Sequence, residues 1–116
     1  MSRILDVTEK QILRGCCLKI CEQAEPLGAG TEVIYAVLKK SGYGAYEKAD
    51  ITEACEYLQK KGFVRLELVK NDILNIHRCI AHITARGTDL IEGTEQRKEL
   101  SFYEKKQKPQ QDRQAS

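Results

Sequence analysis

The stretch 50–93 limits what this chain can fold into more than any other. Ile51, Ala54, Cys55 and Leu58 recur at i, i+3, i+4 and i+7, the spacing that gathers apolar side chains on one face of an α-helix. Asp50 stands ahead of them as the expected N-cap, and Glu53 three residues on completes a reciprocal capping pattern. Gly62 is expected to end the helix, where a left-handed residue is needed. Val64, Leu66 and Leu68 then alternate with Arg65, Glu67 and Val69, the period of a half-buried strand. Helix, strand, turn, strand and a second capped helix thus follow in order, which predicts an α+β chain with a short antiparallel ribbon.

The segments in front read as helices. Thr8 with Gln11 repeats the capping pattern and opens a helix expected to reach about residue 24. Ile12, Cys16, Ile20 and Ala24 form one stripe on it, with Leu13, Cys17 and Cys21 beside that stripe; Pro26 and Gly28 then stop the helix. Gly30 and Thr31 are placed to cap a second helix over 32–40, with Val33, Ile34, Val37 and Leu38 facing inward. Gly42 and Gly44 begin a loop over 41–49, so the third helix, 51–61, stands second in a helix-turn-helix.

Behind that helix, Lys70, Asn71 and Asp72 are expected to turn the ribbon, although the Asn-Gly hairpin signature is absent. The return strand, 73–83, keeps Leu74 and Ile76 in phase, but Cys79, Ala81 and Ile83 fall on the opposite parity from Ile76. A bulge near His77 and Arg78 would reconcile the two halves. Thr84 is expected to cap a final short helix that buries Leu90 and Ile91 and closes at Gly93.

Residues 1–93 are expected to form one domain, and 94–116 a charged extension, helical in part and then disordered. Basic and acidic side chains are equal in number over 1–93, and the extension holds the whole net charge of +2. A balanced domain argues against strong nonspecific binding of nucleic acid, which requires a basic face. No apolar run approaches a bilayer span, and the first residues lack the apolar core of a secretory signal, so a cytoplasmic location is expected. Five cysteines, odd in number and without a disulfide-like spacing, fit reduced packing residues in the same compartment.

The run Cys55-Glu56-Tyr57-Leu58-Gln59-Lys60-Lys61-Gly62-Phe63-Val64-Arg65 resembles the junction between recognition helix and first wing strand in winged helix-turn-helix domains. Ile83-Thr84-Ala85-Arg86-Gly87-Thr88-Asp89-Leu90-Ile91 is similar to the strand-to-helix step after the wing in many bacterial members. The resemblance spans about residues 7–93. It implies a three-helix bundle with a C-terminal β-hairpin wing and a short final helix, used mostly by transcription regulators to hold double-stranded DNA. The third helix would then enter a major groove by its N-terminal residues.

On that reading Lys48 and Thr52 head the helix, and Glu56 is a possible acceptor from cytosine N4. Lys70 and Asn71 at the wing tip, with Arg78 further along, would meet phosphate or minor groove. The alternative for the same residues is a solvated charged face and an ordinary soluble hairpin. Single winged helices bury little DNA, so the resemblance also implies a homodimer, with the first helix and residues 95–106 as its elements.

A second function class stays open, a protein-interaction module that docks a partner through its balanced surface or its C-terminal tail and does not bind DNA. His77, Cys79 and His82 have zinc-ligand chemistry, but on a regular strand His82 points away from the other two, and no metal or other cofactor is expected. Phosphate-binding glycine loops, dinucleotide fingerprints and nucleophile elbows are absent from the sequence, so an enzyme is not expected.

Overall fold

The computed structural model describes residues 5–43 and 45–93. Four helices and a three-stranded antiparallel sheet follow in the order α1 (Val7–Gln23), β1 (Ala29–Gly30), α2 (Thr31–Lys40), α3 (Lys48–Lys60), β2 (Val64–Asn71), β3 (Ile76–Ile83) and α4 (Ala85–Glu92). The chain is α+β, as the sequence implies. The expected extension, 94–116, lies outside the described residues.

Both leading caps sit earlier than the sequence reading has them. The α1 cap is Asp6, not Thr8: its Oδ1 accepts the Glu9 amide at 2.8 Å, and Glu9 Oε1 accepts the Asp6 amide at 3.3 Å. Likewise α3 is capped by Glu47, with Asp50 as the third helical residue accepting the Glu47 amide at 2.8 Å. Asp50 is therefore inside the helix and Glu53 takes no part in the box. A second pair of the same spacing follows the first by two residues in α1 and by three in α3, and the earlier pair wins because it satisfies orphan amides without shortening the helix.

The apolar stripe of α3 is as expected, with Ile51, Ala54, Cys55 and Leu58 all buried. On α1 the buried centre is Leu13, Cys17 and Cys21 with Leu18, while Ile12, Cys16, Ile20 and Ala24 are half-buried at its edge. Only Ile34 and Leu38 of α2 are inward; Val33 and Val37 are 45% and 38% exposed, contrary to expectation. A helix at the rim of a small core can bury one narrow stripe, so adjacent apolar columns end in solvent.

β3 is the central strand, flanked by β2 and by the two-residue β1, which the sequence reading did not contain. Ala29 and Gly30 pair with Ala81 and Ile80. The β2–β3 ladder runs without interruption from Val64 opposite Ile83 to Asn71 opposite Ile76, so the expected bulge at His77 and Arg78 does not exist. Cys79, Ala81 and Ile83 share the helix-facing side with Val64 and Leu66. Ile76 belongs to the other side, and treating it as a core residue created the apparent phase break. The turn is also later than expected, over 72–75, with Asn75 left-handed at φ 55°.

A seam joins the end of α3 to the start of α4. Arg86 Nη1 donates to the Lys61 carbonyl at 3.1 Å, Thr84 Oγ1 to the Gly62 carbonyl at 2.7 Å, and the Thr84 amide to the Phe63 carbonyl at 3.0 Å. Three consecutive carbonyls of the segment that leaves α3 are thereby satisfied. Gly62, at φ +85°, makes the reversal that a side chain would strain. Thr84 caps α4 through the Gly87 amide, Gly93 closes it, and Leu90 and Ile91 are buried, all as the sequence indicates. Phe63, fully buried, fills the space beneath this seam.

Candidate functional site

Lys48, Thr52 and Glu56 lie at i, i+4 and i+8 on α3 and are exposed, one solvent column flanking the buried stripe rather than opposite it. Because α3 begins at Lys48, that lysine is in the first helical turn, with Thr52 one turn behind it. The Lys48 ammonium rests 5.5 Å from the Tyr35 ring of α2, which orients it without neutralising it. Tyr57, on the flank of the same helix, lies under the Arg14 guanidinium at 3.6 Å and is half-buried. Its ring is thus engaged by α1.

The ribbon divides the other three candidates. Alternation along an unbroken ladder sets Lys70, His77, Leu68 and Cys79 on the side that also carries the core residues Val64 and Ala81. Lys70 is therefore on the helix-facing side of the ribbon, beyond the core. Asn71 and Arg78 have the opposite parity and face away. The Asn71 side chain is occupied in bracing the turn, its Oδ1 accepting the Leu74 amide at 3.0 Å. Arg78 lies against β1, its Nη2 3.5 Å from the point a Gly30 Cβ would occupy, beside the start of α2.

The ribbon is longer than the core beneath it. Val64 is 2% exposed but Leu68, expected to be half-buried, is 77% exposed. Ile73 and Leu74, at the turn, are 93% and 65% exposed. Sequence reasoning missed all three as surface groups, because an alternating leucine looks the same over a core and beyond its edge. Nothing short of the ribbon's length relative to the helices distinguishes the two.

His77 and His82 point to opposite sides of the sheet, and His82 Nε2 is 2.8 Å from Glu67 Oε1. Among the described residues, no group of three or more His, Cys, Asp or Glu side chains is arranged to hold a metal ion. The thiols converge around Cys55 beneath the sheet. A hydrogen bond to Cys55 and complete burial push the Cys17 thiol up, and burial pushes Cys21 up to about 12. Such thiols stay protonated at neutral pH and are poor nucleophiles. A cleft of about 210 Å³ between α1 and α3, lined in part by Leu13, Arg14, Asp50 and Tyr57, is smaller than the pockets that enclose small-molecule ligands.

Set against known protein families and curated proteins, the chain matches none. No described helix is long and apolar enough to cross a membrane.

Proposed function

We propose that the chain is a non-enzymatic DNA-binding protein of winged-helix type, a cytoplasmic transcription regulator acting as a dimer. The element order supports the reading: a helix, a short strand, a helix-turn-helix, and a two-stranded ribbon whose return strand pairs with that short strand. The observation that carries it is the position of Lys48 and Thr52. They occupy the first two turns of α3 and are exposed, and Lys70 is on the side of the ribbon that faces the helices. A recognition helix enters a major groove by that end. In this arrangement Lys70 reaches the flanking backbone, and Arg78 takes a phosphate beside the start of α2. Glu56, two turns in, reads cytosine N4 or stays in water.

The test is retention of mixed-sequence duplex over a range of salt. Lys70→Glu with Arg78→Glu is expected to abolish retention with helical content unchanged, and Lys48→Ala to lower the salt slope by roughly one. A double variant that binds like its parent would remove the ribbon from the interface.

One observation favours a second reading, a protein-docking module. Leu68 is a large exposed apolar side chain on the helix-facing side of the ribbon. A parent protein with no salt-dependent affinity for duplex would select that reading.

A further inference from the structure

The turn of the ribbon carries a pair of side chains that a solubilising hairpin would not. Turns favour Gly, Asn, Asp, Ser and Pro, which meet water and local backbone groups. Here the central residues are Ile73 and Leu74, 93% and 65% exposed. The polar residues on either side are spent on the turn itself. Asn71 Oδ1 accepts the Leu74 amide at 3.0 Å, and the Asn75 amide donates to the Asp72 carbonyl at 3.3 Å. Asn75 closes the turn in the left-handed region. The tip is thus braced from within, so holding the two apolar side chains outward costs little ordering on binding.

Its surroundings indicate what it meets. Leu66 is the last β2 residue packed against the core, and the five residues beyond it carry the tip about 17 Å clear at the rise of an extended strand. Behind the tip, one pair beyond Asn71 and Ile76, stand Lys70 and His77, one opposite the other, and Arg78 follows on the reverse side. Asp72 is the single carboxylate of the turn. A narrow apolar point with a lysine behind it complements a groove whose rims are phosphates and whose floor is stacked bases. Insertion of aliphatic side chains between base steps is how minor-groove proteins kink a duplex.

We infer that Ile73 and Leu74 form an apolar wedge that enters the minor groove of duplex DNA and partly unstacks a base step, while Lys70 holds a flanking phosphate. This rests on the DNA reading above and adds a contact made without charge. Flexible pyrimidine–purine steps such as TA are its preferred targets, because they unstack at least cost.

The experiment uses the full chain with a mixed-sequence duplex of about 30 base pairs containing a central TA step. Two readings are taken together, affinity against salt and permanganate reactivity of the central thymine, which rises on unstacking. The parent is expected to raise that reactivity. Ile73→Ala with Leu74→Ala is expected to abolish the rise and weaken binding about tenfold, with the salt slope unchanged, since no counterion is released by an apolar contact. Lys70→Ala is expected to lower the slope while keeping the reactivity at saturation. Both tip side chains lie in solvent, so circular dichroism and the melting midpoint of the double variant should match the parent. Binding that is equally tight without the tip side chains, or a parent that binds without raising thymine reactivity, overturns the wedge and leaves the DNA reading standing. A parent that retains no duplex at low salt overturns both.

Discussion

Gly87→Ala sets two effects of opposite sign against each other at the α3–α4 seam. Alanine in a helix is favoured over glycine by about 1 kcal/mol, so propensity alone predicts a gain. The structure opposes it. A Cβ at Gly87 would run into the Phe63 carbonyl oxygen and lie 2.8 Å from Ile83 Cγ1. The obstacle is largely backbone, and that backbone is pinned, since the same carbonyl accepts the Thr84 amide at 3.0 Å. Relief requires α4 to withdraw, which strains the packing by about 1–3 kcal/mol and weakens a hydrogen bond worth about 0.5–1.5 kcal/mol. Subtracting the helix gain leaves a net loss of about 1–3 kcal/mol. At roughly 4–8 °C per kcal/mol for a domain of this size, the melting midpoint should fall by about 5–20 °C. Thermal and urea melts of the full chain measure it. A variant that melts at or above the parent temperature would show that α4 does not rest on the Phe63 carbonyl, and the seam would have to be redrawn.

Leu58→Ala should cost about 2–5 kcal/mol by opening a cavity at a fully buried point of α3, and an unchanged urea midpoint would take that stripe out of the core. The Cys21 thiol, raised by burial from its ordinary 9.0 to about 12, is held protonated in the native state. Its contribution to stability is complete below pH 9 and is lost as pH climbs toward 12, because only the unfolded thiol ionises in that interval. The loss is at most about 1.4 kcal/mol per pH unit, and Cys21→Ala should flatten it in melts taken above pH 9. Exchange of the Lys70 and Arg78 charges tests the interface, and truncation of Ile73 and Leu74 tests the wedge, by the duplex titrations already described.

The parts of the fold that were legible are those that repeat locally. The Ile51–Ala54–Cys55–Leu58 column needed only the helical period, and Thr84 and Gly93 marked α4 by cap chemistry alone. What escaped depends on distant partners. Ala29 and Gly30 form a strand only because Ala81 and Ile80 lie beside them, and two residues carry no period of their own. Leu68 is in phase with buried Val64 and Val33 lies in the column next to buried Ile34, and the exposure of both is set by where the core ends. The α3 start was misplaced because glutamate is an unusual N-cap, so Asp50 attracted the assignment that belongs to Glu47. That shift mattered for the candidate site, since it moves Lys48 from a loop into the first turn of the helix. Arg78, expected further along the wing to meet DNA together with Lys70 and Asn71, is turned toward β1 by an uninterrupted register.

Among the described residues β2 is the outer strand of the sheet, with one row of its amides and carbonyls turned away from β3. Such a margin is a template on which any extended peptide can grow, including a second ribbon of the same kind. Arg65, Glu67 and Lys70 stand along it at short intervals, and an incoming strand would have to strip water from each. Their charges thus act as gatekeepers against fibrillar stacking, whether or not any of them ever touches a ligand.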